Sequence, residues 1–490
     1  MDSSIHSRLA DILPPGGLLT DLADLERYRR DGSGQSSLPS AVLLPKTTVQ
    51  VQRIVQLAYE EHLPLTLRSG GTGLRGGAVA PEGGIMLSLS HMDRILEISP
   101  ENSLAVVQPG ISAHRLERHL ESSGWLYPVD PASWRESSIG GDVATRAHGL
   151  REARYGPIGS YLLGLEVVIS PGEIIRCGAK TLKYATGYHL VDLFAGSFGR
   201  LGIITQIILK LVPRPPLRRT LTIALRALDT AAEAAVRLRQ AGLQPARLEL
   251  IGPQAARRGF AELLDDRSQD GYLLLMELEA AEPEDLDEQT ARVGSCLQGL
   301  AVSFSGDDAS ARTGSQAEAT SRPEAASPVE TSPGAEGSSP TPAAGQQDTA
   351  GAWWKRREKL LRRLTDEDRP SLLTTVRIPP SRLSDLWKRT GKILKDHSCN
   401  ASLYGHLGEG RWHLLIHRPE TLPAPEEILT TVSRTLEEAA IACGGFYLPP
   451  LALGWTPRKA LVARHDSGQQ RLWKALKNRF DPLELFGPIE

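Results

Sequence analysis

The feature that most constrains the fold is the glycine segment at residues 67–77, "LRSGGTGLRGG", which lies between two strand-like runs. Within it, Gly71, Gly73 and Gly76 have the G-x-G-x-x-G spacing of dinucleotide-binding proteins. In those proteins the loop opens directly into a helix. Here it continues into "AVAPEGGIMLSLS", where Pro81 and a glycine pair precede another strand. We therefore exclude a Rossmann domain. Two alternatives stay open: a plain glycine turn, or a turn whose consecutive backbone N–H groups bind a phosphate.

The composition limits the class of protein. A chain of 490 residues is long enough for two or three domains. With 40% hydrophobic residues, 23% charged residues and a net charge of −2, the sequence predicts a globular protein that binds no nucleic acid. No apolar run reaches the roughly 18 residues that span a bilayer, so we predict no transmembrane segment. No secretory signal is recognisable at the N-terminus.

The four cysteines indicate how the chain handles metals and redox chemistry. They are Cys177, Cys296, Cys399 and Cys443, and no two form a C-x-x-C pair. Iron–sulfur clusters and structural zinc sites use closely spaced cysteines, so we expect neither in this chain. Reduced, dispersed cysteines favour a cytoplasmic location.

Changes in local pattern divide the chain into units. Strand-like runs alternate with glycine-rich turns from residue 38 to residue 215, where several prolines mark a boundary. Strands and helices then alternate, which predicts an α+β domain with an antiparallel sheet. Residues 305–350 contain no aromatic residue and are rich in Ala, Gly, Ser and Pro, so we predict a disordered insertion there.

Further motifs follow the glycine segment in a fixed order. They are "VVQPG" (residues 106–110), "YPVDPASWRESSIGGDVATRAHGLREARYGPIGSYLLGLEVV" (127–168) and "TLKYATGYHLVDLFAGSFGRLGIITQIILKL" (181–211). Together they resemble the FAD-binding domain of the vanillyl-alcohol-oxidase/para-cresol-methylhydroxylase (PCMH) superfamily, in its glycolate oxidase and D-lactate dehydrogenase branch. The resemblance implies the α+β fold class. Its implied units are an N-terminal lead (1–37), a two-lobed PCMH-type FAD-binding domain (38–215), an α+β cap domain (216–440) and a C-terminal segment returning to the FAD-binding domain (441–490).

The resemblance also implies a set of FAD-binding residues. Ser69, Gly70, Gly71, Thr72 and Gly73 would hold the pyrophosphate; Asp130, Ser138, Gly140, Gly141 and Val143 the flavin and ribityl side; and Gly202, Ile203 and Ile204 the adenine end. Thr72 stands where members with covalent flavin have histidine, so we expect non-covalent FAD. The chain departs from the usual motifs at Arg146, Phe198 and Arg200, which replace Asn, Glu and Thr.

Two motifs in the second half concern substrate and metal. "AWWKRREKL" resembles the family's Trp-x-x-Arg-Glu segment, which implies that Arg357 binds the substrate carboxylate. A basic, solvated helix face is the alternative. "GHLGEGRWH" resembles the family's metal motif, which implies His406 and His413 as ligands of a divalent ion such as zinc. Glu409 and Arg411 replace its usual Asp and Asn, and the charge of Arg411 disfavours a nearby cation.

The family's third metal ligand and its catalytic base come from a "GEHGxG" motif. Aligning "GGFYLPPLALG" with it places Pro450 and Leu451 at the Glu and His positions. Proline cannot ligate a metal and leucine cannot accept a proton. His417 could supply the base, since it lies on the same strand face as His413, and His465 is another candidate.

The resemblance therefore implies an FAD-dependent oxidoreductase that oxidises a small 2-hydroxy acid by hydride transfer to flavin N5. Its electrons would pass to a separate iron–sulfur partner or to a quinone. The alternative is an FAD-binding accessory subunit, for electron transfer or structure, in a glycolate or lactate oxidase complex. A third possibility, a pseudoenzyme that serves only as an interaction surface, is disfavoured by the intact glycine segment. The expected location is the cytoplasm, with attachment to the inner membrane through a partner.

Overall fold

The computed structural model describes residues 2–33, 35–263, 271–310, 349–364, 371–417, 425–448 and 466–488. Its α-helices are α1 (Ser3–Ile12), α2 (Leu22–Leu25), α3 (Thr48–Glu60), α4 (Ala113–Leu120), α5 (Ile139–Thr145), α6 (Glu152–Tyr155), α7 (Leu190–Phe194), α8 (Leu228–Gln240), α9 (Pro253–Gly259), α10 (Pro283–Cys296), α11 (Thr349–Glu358), α12 (Leu360–Leu364), α13 (Leu383–Asp396), α14 (Pro425–Ala442) and α15 (Ser467–Phe480). Its strands are β1 (Leu18–Leu19), β2 (Ala41–Leu43), β3 (Leu65–Arg68), β4 (Ile85–Ser88), β5 (Ile95–Ser99), β6 (Leu104–Val107), β7 (Trp125–Leu126), β8 (Leu162–Ile169), β9 (Glu173–Gly178), β10 (Ile203–Lys210), β11 (Val212–Pro213), β12 (Leu217–Leu225), β13 (Arg247–Ile251), β14 (Tyr272–Ala280), β15 (Ala301–Ser310), β16 (Ser371–Arg377), β17 (Asn400–His406), β18 (Arg411–His417) and β19 (Phe446–Leu448). Short 3₁₀ helices span Glu26–Tyr28, Pro100–Asn102, Glu121–Ser123, Ile158–Tyr161, Ala261–Leu263 and Pro380–Arg382.

The N-terminal domain, up to residue 215, contains two main sheets within the described chain. One has the order β1-β2-β4-β3, and its strands β2, β4 and β3 are parallel. The other has the order β5-β6-β10-β8-β9 and is antiparallel. Parallel neighbours need a crossover connection, and residues 69–84, which contain most of the glycine segment, make this crossover from β3 to β4. The glycine segment therefore lies at the end of a sheet, with its backbone available to a ligand.

Helix α3 joins the two sheets of the N-terminal domain. The Thr47 side chain caps it by accepting a hydrogen bond from the backbone N–H of Gln50, at 3.3 Å. Its buried residues recur at helical spacing, as in Val51, Ile54 and Val55. They form one apolar cluster with residues of β2 and β4 from the first sheet and of β8 and β10 from the second. Burial of this single face holds the two lobes together.

The cap is built on one antiparallel sheet, which has the order β15-β12-β14-β13-β17-β18-β16-β19 in the part of the chain that the structure describes. Helices α8, α10, α13 and α14 cover one face, and α9, α11 and α12 cover the other. Both faces are therefore buried. This explains why every residue of β14, "YLLLMELEA", is buried, and why its first half is a continuous apolar run.

Two predicted boundaries differ from the structure. The insertion predicted at 305–350 cannot begin at residue 305, because β15 continues to Ser310 and pairs with β12 along its length. Backbone hydrogen bonds to a neighbouring strand order this stretch although its side chains are mostly small and polar. Residues 311–348 lie outside the described residues. The cap sheet also extends beyond residue 440, because β19 pairs with β16.

After β19 the described chain packs against the N-terminal domain again. On α15, the Lys477 ammonium donates to Asp481 at 2.6 Å, and both side chains are almost completely buried. The Asp481 carboxylate also accepts from the backbone N–H of Leu485, at 2.9 Å. The carbonyl of Leu485 in turn accepts from the N–H of Leu65, the first residue of β3, at 2.7 Å. The end of the chain thus supports the strand that leads into the glycine segment.

Buried charges connect the cap to the N-terminal domain. Asp130 accepts hydrogen bonds from Nη2 and Nε of Arg247, at 2.7 and 3.1 Å. Nη1 of Arg247 also donates to Glu277, at 3.2 Å. Arg151 lies between the two acids, with Nε 3.7 Å from the Asp130 carboxylate and 3.9 Å from that of Glu277. Burial raises the pKa of Glu277, but the arginines outweigh it and the pKa is lowered. We call these four residues the interdomain network.

Removing one member of the interdomain network should leave a buried charge without its partner. We expect Arg247→Met to lower the free energy of unfolding by about 3–5 kcal/mol. Arg382→Met is the matched control, because Arg382 pairs with Asp385 where both side chains are 47% exposed. The control should change stability by less than about 1 kcal/mol. Urea unfolding measures both, and equal losses would contradict the structural role of the network.

Candidate active site

A cavity of about 660 Å³ lies between the N-terminal domain and the cap. Cofactor and ligand pockets typically have volumes of roughly 300–1,000 Å³. The glycine segment, the start of α5 and the residues just before β10 form one wall. Strands β16, β18 and β19 of the cap contribute to the opposite wall. The cavity therefore depends on both domains.

Hydroxyl groups hold the glycine segment against the start of α5. Ser138 Oγ accepts from the N–H of Gly70 at 2.8 Å and donates to Ser69 Oγ at 2.6 Å. Ser69 Oγ in turn donates to the carbonyl of Pro109, at 3.2 Å. A Cβ at Gly70 would lie 2.7 Å from the backbone nitrogen of Ser138, so only glycine permits this approach. The two loops form one rigid wall.

The next residues form a cradle of backbone donors. Gly71 has a φ of +68°, and a Cβ there would lie 2.2 Å from the guanidinium of Arg68. Among the described residues, the N–H groups of Gly71, Thr72 and Gly73 have no acceptor, and all three residues line the cavity. Consecutive unpaired N–H groups of this kind bind anions. The cradle fits the pyrophosphate of FAD.

Most of the residues predicted to bind FAD line the cavity. They are Ser69, Gly70, Gly71, Thr72, Gly73, Ser138, Gly140, Gly141, Gly202, Ile203 and Ile204. Two predicted residues lie elsewhere. Val143 is fully buried in the core of the N-terminal domain, and the Asp130 carboxylate belongs to the interdomain network. The motif positions of these two residues did not indicate that Val143 packs in the core or that Asp130 binds an arginine of the cap.

Two of the departures from the family motif have unusual backbone conformations at the cavity wall. Arg146 has a φ of 51° and Phe198 a φ of 55°, and both line the cavity. A left-handed conformation costs a non-glycine residue roughly 1–2 kcal/mol. Arg146 is held by an ion pair with Asp192, at 2.8 Å. Arg200, the third departure, donates to the carbonyl of Phe486 and so binds the C-terminal end of the chain.

The register of two cap strands places four polar residues on the cavity wall. On β16 and β18, Thr375 lies opposite His413 and Arg377 lies opposite Arg411. Because side chains alternate along a strand, these four share one face, and all four line the cavity. On each strand, the residue between the two that line the cavity is fully buried on the opposite face of the sheet. The imidazole of His413 contacts Thr375 Oγ1 through Nδ1, at 3.0 Å.

The paired arginines make this wall strongly cationic. Like charges directly opposite each other on neighbouring strands are destabilising. The Nε atoms of Arg377 and Arg411 are buried and, within the described chain, have no hydrogen-bond partner. Arg411 is only 8% exposed. Its pKa is lowered by burial, although the nearby carboxyl groups of Glu409 and Glu152 act against this. An anion between the two guanidinium groups would satisfy both. Sequence reasoning missed Arg377 and noted Arg411 only as unfavourable to a metal.

Arg357 does not occupy the predicted position. Its guanidinium donates to the Glu249 carboxylate at 2.5 Å, and the two side chains are 5% and 0% exposed. It also lies 4.8 Å from the centre of the Tyr404 ring. It does not line the cavity. The expectation that it binds the substrate carboxylate, and the alternative of a solvated helix face, both differ from this buried ion pair.

The predicted metal pair lies close together but is engaged with protein groups. The rings of His406 and His413 are 5.9 Å apart, and Nδ1 of His406 pairs with the Glu249 carboxylate. Burial, reinforced by the charge of Arg411, lowers the pKa of His406 to about 4, so it is neutral at pH 7. Within the described ranges, no group of three His, Cys, Asp or Glu side chains is arranged to hold a metal ion.

The predicted replacements in the third motif cannot be placed. Pro450 and Leu451, expected at the positions of the third ligand and the base, lie outside the described residues, as does His465. His417 is described, and its Nε2 contacts Ser402 Oγ at 3.0 Å. It lies four residues beyond His413 on β18, roughly 13 Å along the strand. His417 does not line the cavity, and its predicted role as the base is therefore not supported by its position.

Another histidine, which sequence reasoning missed, does line the cavity. His148 follows α5, and its Nδ1 lies 2.6 Å from a carboxylate oxygen of Glu152. The signal in the sequence was the spacing of four residues between His148 and an acid, within the motif "ATRAHGLRE". That spacing is common on helix faces, so it carried little weight without the fold.

Comparisons with known proteins agree with this geometry. A model described as "FAD binding domain" matches residues 39–178, and one described as "FAD linked oxidases, C-terminal domain" matches residues 214–490. The chain belongs to the FAD-linked oxidases. It is 30% identical to the glycolate oxidase subunit GlcD of Bacillus subtilis (strain 168), covering 94% of this chain and 91% of that one. It is 26% identical to a D-2-hydroxyglutarate dehydrogenase of Stutzerimonas stutzeri (strain A1501), covering 99% and 98%.

Solved structures support the fold of this FAD-linked oxidase. A crystal structure of p-cresol methylhydroxylase with substrate bound matches with a TM-score of 0.73 at 16% identity, over 99% of this chain and 95% of that one. The predicted α+β fold, with a PCMH-type FAD-binding domain, is confirmed. So are FAD as the cofactor and the class of FAD-dependent oxidoreductase. Non-covalent attachment of FAD stays a prediction. None of the helices in the described chain could cross a bilayer.

The close approach at Gly70 gives a prediction about FAD affinity. Gly70→Ala should push the glycine segment away from Ser138 and weaken FAD binding at least about tenfold, or ~1.4 kcal/mol. Gly391→Ala, on α13, is the matched control, because nothing lies within 4 Å of its added Cβ. Fluorescence titration of the deflavinated protein with FAD measures both variants. Unchanged affinity in Gly70→Ala would show that the cradle does not bind the cofactor.

The buried Glu249 gives a prediction about pH. Burial raises its pKa, but the favourable interactions with Arg357 and His406 together outweigh this and bring the pKa to about 2. A lowered pKa in the folded state stabilises the protein above the unfolded value near 4.5, and this stability is lost as the pH falls towards 2. The contribution should be roughly 3 kcal/mol. Urea unfolding between pH 7 and 2 should show that Glu249→Gln lacks this fall, whereas the exposed Glu233→Gln retains it.

Proposed function

We propose that the protein oxidises a 2-hydroxy acid in this cavity, with FAD as the electron acceptor. One observation carries the proposal: a single cavity has a pyrophosphate cradle on one wall and, on the other, two opposed arginines whose Nε atoms have no hydrogen-bond partner among the described residues. When bound, FAD takes a hydride from the alcohol carbon while the hydroxyl proton goes to a base, and the products are a 2-oxo acid and reduced flavin.

The substrate carboxylate is assigned to Arg377 and Arg411. Guanidinium groups bind carboxylates through parallel N–H donors, and a substrate carboxylate between these two would supply an acceptor that their Nε atoms do not find within the described chain. It would also offset the repulsion between two opposed cations. The names of the two relatives support the substrate class, because glycolate and D-2-hydroxyglutarate are both 2-hydroxy acids.

A second candidate is the accessory subunit. It is favoured by the pairing of Arg357 and His406 with Glu249, because the residues that the resemblance assigned to substrate and metal both contact the same buried carboxylate. Under either proposal, electrons leave through an iron–sulfur partner or a quinone, since the dispersed cysteines suit no cluster. The Bacillus relative is itself named as a subunit. Attachment to the inner membrane, if it occurs through such a partner, is part of the same proposal.

Anaerobic addition of glycolate, D-lactate or D-2-hydroxyglutarate to the FAD-loaded protein tests the proposal. We expect at least one of them to bleach the visible band of oxidised flavin. Arg377→Met and Arg411→Met should each raise the half-saturating concentration about 10-fold to 100-fold, because each removes charge-assisted hydrogen bonds worth roughly 1.5–3 kcal/mol. Arg389→Met, an exposed change on α13, should leave it unaltered.

The other outcomes separate the alternatives. A yellow protein that no 2-hydroxy acid bleaches would contradict the enzymatic proposal and favour the accessory subunit. If the flavin of the arginine variants were reduced at the same half-saturating hydroxy-acid concentration as in the wild type, the assignment of the substrate carboxylate would be wrong. The proposed reaction would still stand.

A further inference from the structure

The segment that carries His148 is held tightly in place. A Cβ at Gly149 would lie 2.6 Å from Asp130 Oδ1 and 2.7 Å from its backbone nitrogen. The backbone N–H groups of the next two residues, Leu150 and Arg151, donate to Asp130 at 3.3 and 3.0 Å. Asp130 also binds Arg247 in the cap, so the position of His148 is linked to the interdomain network. His148 therefore lies on a fixed turn at the cavity wall.

Glu152 orients the imidazole of His148. The two carboxylate oxygens lie 2.6 and 2.8 Å from Nδ1, which places the proton of the neutral ring on that nitrogen. Nε2 is then the nitrogen with a lone pair. Within the described chain, Nε2 has no hydrogen-bond partner, and the side chain, 21% exposed, lines the cavity. An imidazole with one nitrogen bound to a carboxylate and the other open to a substrate is the arrangement of a general base.

The charged groups around His148 are consistent with a base at neutral pH. Burial lowers its pKa, Glu152 raises it, and the charges of Arg411 and Arg377 lower it. The ring is therefore neutral before reaction. Glu152 also contacts the carboxyl group of Glu409, whose pKa is raised by burial and by Glu152. The pKa of Glu152 is lowered instead, so the two shifts favour the proton on Glu409 and the negative charge on Glu152, where it would stabilise an imidazolium.

We infer that His148 is the catalytic base and that Glu152 is its positioning residue. This rests on the proposed function. In the step, the O–H bond of the 2-hydroxy acid breaks and its proton forms a bond to His148 Nε2. The pair of electrons in the Cα–H bond leaves as hydride to the flavin, and the C–O bond becomes a carbonyl. The hydroxy acid is oxidised by two electrons and FAD is reduced by two.

The other histidines near the site are less suited to this role. His413 lines the cavity, but Nδ1 contacts the neutral hydroxyl of Thr375, and no carboxylate among the described residues orients the ring. Its pKa lies well below the ordinary value because of burial and the neighbouring charge of Arg411. His406 is paired with Glu249, and His417 is outside the cavity. Among the histidines that the structure describes, His148 combines cavity exposure with a carboxylate partner.

Rapid mixing of the FAD-loaded protein with the best hydroxy acid is the first test. His148→Gln should reduce the rate constant for flavin reduction at least about 100-fold, the usual contribution of a general base. Glu152→Gln should reduce it less, and should move the midpoint of its rise with pH to lower pH, because the negative charge that raises the pKa of His148 is lost. His119→Gln, an exposed change on α4, should be unaltered.

Proton uptake on binding of oxalate gives a readout that needs no turnover. Oxalate carries a second anionic oxygen where the ionised hydroxyl would lie. Calorimetry of the FAD-loaded protein in buffers of different ionisation enthalpy should therefore show uptake of about one proton by the wild type. His148→Gln should bind oxalate without proton uptake, and His119→Gln should behave as the wild type. FAD content and melting temperature show whether His148→Gln is folded; if it is not, His148→Asn and the wild-type measurement provide the test.

The outcomes distinguish the two proposals. Binding of oxalate to the wild type without proton uptake, or flavin reduction in His148→Gln at the wild-type rate, would overturn the role of His148 and leave the proposed function intact. If no hydroxy acid reduces the wild-type flavin, the proposed function fails. Proton uptake that depends on His148 would then still support this residue as the group that becomes protonated when an anionic ligand binds.

Discussion

The interdomain network is the interaction on which the site depends. The cavity exists only where the cap meets the N-terminal domain, and four buried charges hold that junction. Buried charges are tolerated only when each is paired, so the network permits few relative positions of the two domains. Asp130 belongs to it through one oxygen and supports the turn behind His148 through the other. The alignment of the domains and the placement of the proposed base therefore have a common origin.

The cavity is chemically divided between its two walls. The wall of the N-terminal domain offers the backbone donors of the cradle, with Arg146 at the same wall, which suits a large anionic cofactor bound along a glycine-rich surface. The cap wall offers full positive charges, which suit a small anion. His148 and Glu152 come from the N-terminal domain, but both interact electrostatically with Arg411 of the cap. The reacting carbon of the substrate would then lie between the cofactor and the arginines.

Sequence reasoning identified residues that line the cavity where they lie in contiguous motifs. The glycine segment, Ser138 and Gly140 could be recognised because their backbone roles are set by local spacing. It failed where a distant partner decides the role. Arg357 had the expected motif, but it forms an ion pair with Glu249, about a hundred residues earlier in the chain. Arg377 had no motif, and only the register of β16 against β18 brings it to the cavity. Residues such as these require the tertiary fold.

The register of β16 and β18 has a consequence for substrate selection. Cα atoms of residues directly opposite on antiparallel strands are about 4.5–5.5 Å apart. The pairing of Arg377 with Arg411 therefore fixes the distance between the backbones of the two proposed carboxylate-binding arginines. This distance cannot increase without breaking the hydrogen bonds between β16 and β18. Variants of this protein that accept longer or shorter acids would therefore be found by altering the opposite wall, where Arg146 and Phe198 already depart from the common motif. The two arginines would keep their positions while the length of the pocket opposite them changed.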